Sequence, residues 1–420
     1  MKTRKASIQL LALLTFAAFS TEIFAEESWN QWRGPQRNGA AAAGAEWPDS
    51  LGKDRLTKVW EIDLDPGYSS PISSDGHVFT VETRNKESEV VRAFEIATGN
   101  PVWDSSWTGA MEVPFFAAKN GSWARCTPAV ADNAIYVGGI RDVLTKLDAS
   151  TGEELWRIDF MEREGTELPA FGHVSSPLID DGAIVIQAGC AVVKLNAETG
   201  ETIWRALEDR RAMFGSAFSS VVIATVAGQR QVVAQTRSTL GGLDLETGEV
   251  LWSTPVEAFR GMNILTPTVI GENRIFTATY GGGSHLFEVT KDASGKFAVS
   301  EKWRVKTLEG YMASPIVIDG HLYLFGRDRK LHCVELASGN IAWSTSEKFG
   351  EYWSLTFQGD RVLALDQTGE LILFRATPDA FTLLDRQKVS PKDPTWAHLG
   401  IEGDRLLIRS LKGLSIYQWR

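Results

Sequence analysis

Cysteine is scarce in this chain, and its placement excludes much chemistry. Cys126, Cys190 and Cys333 are the only three in 420 residues. None is adjacent to another, and none sits in a Cys-x-x-Cys-His haem-attachment sequence. An odd count leaves at least one thiol unpaired, so we read all three as buried small apolar residues in a fold without a disulfide framework. The six histidines, His77, His173, His285, His321, His332 and His398, show no metal-ligand spacing. Asp63-Leu64-Asp65-Pro66-Gly67 lacks the further acids and closing Glu of a calcium loop. Gly281-Gly282-Gly283-Ser284 has no following Lys to cradle phosphate, and no Gly-x-Ser-x-Gly elbow occurs. Positive charge is also short: 43 Lys and Arg against 53 Asp and Glu, a net of −10. That balance argues against nucleic acid and anionic lipid as general partners.

Long apolar runs are missing except near the start. Lys2, Arg4 and Lys5 precede an apolar stretch from Leu10 to Phe19, and Phe24-Ala25 offers a small residue before Glu26. This is the layout of a secretory signal peptide over residues 1–25, and the stretch is too short to span a membrane. No Cys lies near the cut to carry a lipid. Its removal would leave 40 basic against 52 acidic residues. The expected location is therefore the periplasm or the cell exterior, and the expected state a monomer.

What the chain does have is a repeat. Ala97-Thr98-Gly99-Asn100, Ser150-Thr151-Gly152-Glu153, Glu198-Thr199-Gly200-Glu201, Glu246-Thr247-Gly248-Glu249 and Ala337-Ser338-Gly339-Asn340 each put a Trp four residues after the glycine. Trp103, Trp156, Trp204, Trp252, Trp303 and Trp343 recur every 40 to 53 residues, a propeller-like period. Each unit opens on a small-polar-Pro step such as Ser69-Ser70-Pro71 or Ser175-Ser176-Pro177. Then come an Asp-Gly type turn (Asp75-Gly76, Asp181-Gly182), alternating Val/Ile/Tyr runs, and a strand ending in Leu-Asp. These are the marks of antiparallel meanders of four strands.

A degraded seventh unit runs from Trp353 to about Gln387, with Leu384 near the Trp position. An eighth, Trp396 to Trp419, supplies only three strands. Lys58–Asp63 carries Trp60 without a unit of its own and is the expected fourth strand of that last blade, pairing with Leu414–Trp419. The fold class is thus all-β: an eight-bladed propeller of four-stranded antiparallel blades over residues 56–420, closed by an N-terminal strand. Residues 26–55 form an irregular lead-in, Trp29-Asn30-Gln31-Trp32-Arg33-Gly34-Pro35 followed by Ala40–Ala45, with the alanine-rich stretch draped on the surface.

With those turns and Ser-Ser-Pro steps in hand, the chain resembles the PQQ-like (pyrroloquinoline-quinone-like) β-propeller repeat proteins over residues 29–420. That family includes quinoprotein alcohol dehydrogenases and the outer-membrane assembly lipoprotein BamB. The resemblance implies a docking role for Trp60, Trp103, Trp156, Trp204, Trp252, Trp303 and Trp343. For the dehydrogenases it implies an adjacent Cys-Cys disulfide over the quinone, a Ca²⁺ held by Glu and Asn, and an aspartate base. This sequence has no adjacent cysteines and offers no matching calcium or base position.

The loops that enter each innermost strand share one face with those joining second and third strands. The longest run from Asp104 to Arg125 and from Arg157 to Val174. The candidate binding residues are Trp123, Arg125, Phe171, His173, Arg237, Arg260, Asn263, Tyr280, Arg327 and Trp353, with Phe115, Phe116, Arg210, Arg211, Phe214, Tyr311, Tyr352 and Trp396 nearby. Arginine gathered on an acidic protein can hold an anionic ligand or a peptide. The alternative for each is local pairing, Arg327 with Asp328 or Arg210 with Asp209. The expected function is an exported, non-catalytic scaffold with no metal or cofactor. It would bind an envelope protein, a peptide or a small anionic ligand through this face. The alternative is a quinoprotein-type oxidoreductase or PQQ-binding protein using PQQ with Ca²⁺.

Overall fold

Two kinds of turn set the blade geometry. At the first hairpin of a blade, Asp75 and Gly76 both take positive φ (48° and 75°), as do Asp181-Gly182 and Asp319-Gly320. Two successive left-handed residues match the twist of antiparallel strands, which is why Asp-Gly recurs there. At the last hairpin, Asp148 Oδ1 accepts from the backbone N–H of Ser150 and Thr151 and from the Thr151 hydroxyl. Asp244 repeats this with Glu246 and Thr247. In these two blades the acid ending the third strand is thus the anchor of the following turn.

A computed structural model describes residues 28–42, 46–210 and 218–420. The candidate signal peptide, Ala43–Ala45, Arg211 and Phe214 lie outside the described residues. Eight four-stranded antiparallel sheets form the ring. Blades 1 to 7 run Ile72–Thr108, Ala129–Asp159, Leu178–Ala206, Val222–Pro255, Thr268–Val305, Ile316–Ser344 and Trp353–Lys388. Blade 8 comprises Gly400–Glu402, Arg405–Ser410 and Gly413–Trp419, completed by Leu56–Asp63. In that closing pair Trp60 faces Ile416 and Asp63 faces Gly413. The cores lie between blades: Ile72, Phe79, Val81 and Val91 of blade 1 pack on Val130, Ile135 and Val137 of blade 2.

Six of the seven outer-strand tryptophans reach the next blade. Trp60 Nε1 donates to Ile96 O at 2.9 Å, Trp103 to Ala149 O at 2.9 Å and Trp156 to Glu198 O at 3.0 Å. Trp204 donates to Leu245 O, Trp303 to Leu336 O and Trp343 to Thr377 O. The repeat glycine makes room for the ring: a Cβ on Gly99 would lie 2.8 Å from Trp60, and one on Gly248 would lie 2.7 Å from Trp204. Trp252 departs from the expectation. Its Nε1 donates to Gln231 Oε1 of its own blade at 2.8 Å. Blade 5 has no Thr-Gly turn to receive it, because its outer hairpin extends to Lys291 and Phe297.

The segment Trp29–Gly39 of the lead-in turns inward. Trp29, Trp32, Arg33 and Arg37 are buried. Trp29 exchanges hydrogen bonds with Ser73 of blade 1, and Asn30 exchanges them with Val130 of blade 2. Arg37 donates to Ser176 O and Pro177 O at blade 3, and Arg33 to Pro315 O at blade 6. Gly39 O accepts from Phe357 of blade 7, and the Trp29 ring abuts Gly400 of blade 8. One short segment can touch the innermost strands of six blades only by lying on the axis. It therefore plugs the central channel. Further on, Trp47 and Leu51 join the core between blades 7 and 8, with the Trp47 ring 5.2 Å from that of Trp419.

Candidate functional site

The two long loops lie side by side, later in sequence than their expected starts. Pro101–Thr108 continues as strand, and Phe160–Glu164 forms a short helix. Asp159 caps that helix through Met161 N and Glu162 N, and Gly165 ends it at φ 62°. Arg125 ties the loops together, donating to Phe171 O at 3.1 Å and to Gly121 O at 3.0 Å. Burial lowers its proton affinity, yet it remains charged.

The first loop carries a 3-10 helix, Phe115–Asn120, none of whose residues is buried. Phe115 is 90% exposed and Phe116 is 55% exposed. Phe115, Phe116, Phe171 and Phe218 form a continuous line, with ring centroids 5.6, 6.0 and 5.8 Å apart. Beside it a groove of about 430 Å³ runs between Ala110–Val113 and Phe115, Ala118 and Trp123, with Lys86 at its edge. The loop also reaches towards blade 7, where Lys119 Nζ lies 3.0 Å from Glu351 Oε1.

A second aromatic group lies on the far loops. Phe259, half exposed, meets Tyr280 at 5.3 Å, and Tyr280 meets Tyr311 at 5.4 Å. Arg327 sits 4.4 Å over the Tyr280 ring and pairs with Glu309 at 3.2 Å, not with Asp328. Arg260, exposed and at φ 55°, covers Phe259 at 5.1 Å. Arg210 pairs with Glu208 at 3.3 Å. Between the two groups a column of rings descends to the plug: Tyr68, Trp396, Tyr352, His398 and Trp32, each 5.3 to 6.1 Å from the next.

Four candidates hold the scaffold together. Asn263 is buried and donates to Thr236 O and Arg237 O at 3.0 Å, stapling two loops. Arg237 lies 3.8 Å from Asp209. Trp353 is fully buried in the innermost strand of blade 7, stacked on Phe325 and donating to Asp366. It is therefore no surface residue. His173 is 1% exposed, with Nδ1 3.1 Å from Asp142 and Nε2 2.8 Å from Ser175 O. Burial opposes its charge, but hydrogen bonding and attraction from Asp142, with Cys126, lift its pKa to about 10. Both ring nitrogens face acceptor oxygens, an arrangement that favours the imidazolium over the neutral ring.

Sequence reading missed Glu89, which lies beneath both loops and is wholly buried. Its carboxylate accepts from Ile140 N at 2.9 Å and from Trp107 Nε1 at 3.1 Å. Burial pushes its pKa up to about 7, while those donors and the charges of His173 and Arg157 restrain the rise. In sequence it is an acid in an alternating strand, with nothing to mark the inward side.

The family model described as outer membrane protein assembly factor BamB matches residues 86–345. Among solved structures, BamB from Moraxella catarrhalis is 16% identical with a TM-score of 0.59, the match covering 87% of this chain and 98% of that one. The quinohemoprotein alcohol dehydrogenase from Comamonas testosteroni is 13% identical with a TM-score of 0.61, over 93% and 80% of the two chains. The computationally designed Ika8 protein is 13% identical with a TM-score of 0.56, over 86% and 99%. At such identities the likeness is one of fold. No curated protein matches the sequence.

Proposed function

Because the chain belongs to the family of the outer membrane protein assembly factor BamB, we propose that it is a non-catalytic binding scaffold, exported by residues 1–25, that engages an envelope protein or peptide through its loop face. One observation carries this reading: Phe115 and Phe116 stand exposed on an ordered 3-10 helix beside a groove. Large aromatics kept out of the core on a rigid support are the usual anchors of protein interfaces. Arg260 and Arg327, each over an aromatic ring, add planar donors for carbonyls or carboxylates. Among the described residues no helix is long and apolar enough to cross a membrane.

The quinone–calcium alternative fits the axis poorly. A planar cofactor there would compete with Trp32, Arg33 and Arg37, whose side chains occupy that position and bind the inner strands. Among the described residues no three His, Cys, Asp or Glu side chains converge as a metal site. Incubation with PQQ and Ca²⁺ followed by dye-linked alcohol oxidation tests that alternative directly.

The binding reading is tested by crosslinking capture from native envelope fractions, read by mass spectrometry. Phe115→Asp with Phe116→Asp should remove the captured partner and leave the melting temperature unchanged, since neither ring is buried. Glu153→Lys and Glu201→Lys, on the opposite face, should keep it. Loss in the glutamate variants with retention in the phenylalanine variant would place the interface on the other side.

A further inference from the structure

The axial plug carries two cations that no carboxylate among the described residues answers. Arg33 is 3% exposed and Arg37 is 4% exposed. Arg33 Nη2 donates to Asn38 O and Pro315 O. Arg37 donates to Gln31 Oε1, Pro177 O and Ser176 O. Every acceptor is neutral. The Nε of each is buried and donates to nothing among the described residues. Other buried cations of the chain have acids at hand: Lys146 has Glu198, and Arg409 feels Glu82, Asp393 and Asp65. Arg33 and Arg37 feel only Tyr352, Cys126 and the repulsion of Arg33 on Arg37, and burial depresses both. Both guanidinium groups lie over one ring, 5.6 and 5.3 Å from the Trp32 centroid.

Buried charges in proteins are ordinarily paired, because a neutral shell only partly replaces water. We propose that the plugged channel binds a small monovalent inorganic anion of the halide class between Arg33 and Arg37, taking the two Nε protons and closing the charge balance of the plug. Burial sets the size limit: with Arg33 3% and Arg37 4% exposed, the anion must sit inside the plug without opening it. The neutral carbonyls orient the Nη groups, and the anion supplies the missing charge. The site is separate from the loop-face groove, so its failure leaves the proposed function untouched.

The test uses the full mature chain refolded in increasing chloride or bromide, with ionic strength held constant by gluconate, which is too large to enter. Wild type should show a saturable rise in melting temperature, about 2–4 °C at a halide concentration 100-fold above Kd. Arg37→Gln should lack the saturable part and report the general salt effect alone. Crystals grown in bromide should show one anomalous peak within hydrogen-bonding reach of Arg33 and Arg37, a readout that needs no variant. A halide response identical in wild type and Arg37→Gln would overturn the proposal. So would bromide crystals with no anomalous peak on the axis, leaving the inner-strand carbonyls as the sole partners of the two cations.

Discussion

Glu89→Gln isolates a single buried charge beneath the loop face. In the folded protein the carboxyl titrates near 7, against an ordinary value of 4.5. A folded-state pKa raised above the unfolded one means that stability is full below about 4.5 and is lost as pH rises through about 7. The gap of about 2.5 pH units, at 1.36 kcal/mol each, amounts to about 3 kcal/mol. Glutamine removes the titration but places an amide NH2 against one of two N–H donors, Ile140 N and Trp107 Nε1, a cost that does not vary with pH. The stability of the variant relative to wild type should therefore rise by about 3 kcal/mol between pH 4.5 and pH 7.5, from a lower starting point at acid pH. His173, raised from 6.5 to about 10, also favours the acid side. Its contribution is lost as pH rises from 6.5 towards 10, so the change between pH 4.5 and 6.5 reports Glu89. Urea unfolding followed by tryptophan fluorescence at three pH values gives the comparison. A difference that stays constant across that range would mean that Ile140 N and Trp107 Nε1 hold the carboxylate ionised at ordinary pH, and the burial argument would fail.

The inter-blade tryptophans give a second prediction. Trp204 is 7% exposed, donates to Leu245 O at 3.1 Å and abuts Gly248. Trp204→Ala should cost about 3–5 kcal/mol in urea unfolding, and a variant as stable as wild type would mean that this contact does not join the blades. Deleting residues 26–65 removes both the axial plug and the closing strand of blade 8. The product should aggregate on size-exclusion chromatography, because the Gly413–Trp419 strand becomes an open edge. A monomer with unchanged melting would refute closure.

The propeller was legible because its signals are local and repeated. An Asp-Gly turn, an acid that anchors a Thr-Gly turn and a Trp four residues later each have a short-range physical cause, and repetition shows which occurrences matter. The irregular blades were legible by subtraction: three strands at the end and one unpaired strand at the start, Leu56–Asp63, leave one way to close the ring. The plug had no such signal. Trp29, Trp32, Arg33 and Arg37 read as a polar, aromatic, glycine-containing stretch. Only the assembled ring creates the axis where they are buried and the carbonyls of Ser176, Pro177 and Pro315 that hold the guanidinium groups. The same reason explains the mixed result among candidate site residues. Residue type and loop position placed Phe115, Phe116, Arg260 and Arg327 on the exposed face. They could not separate these from Trp353, His173 and Asn263, which share the same composition but turn inward. The side a loop residue faces is decided by partners far away in sequence: Asp142 for His173, Thr236 and Arg237 for Asn263, Phe325 for Trp353. A loop side chain with an identifiable long-range partner therefore builds the scaffold. One that stays exposed on a rigid turn, as Phe115 does, is where binding should be sought.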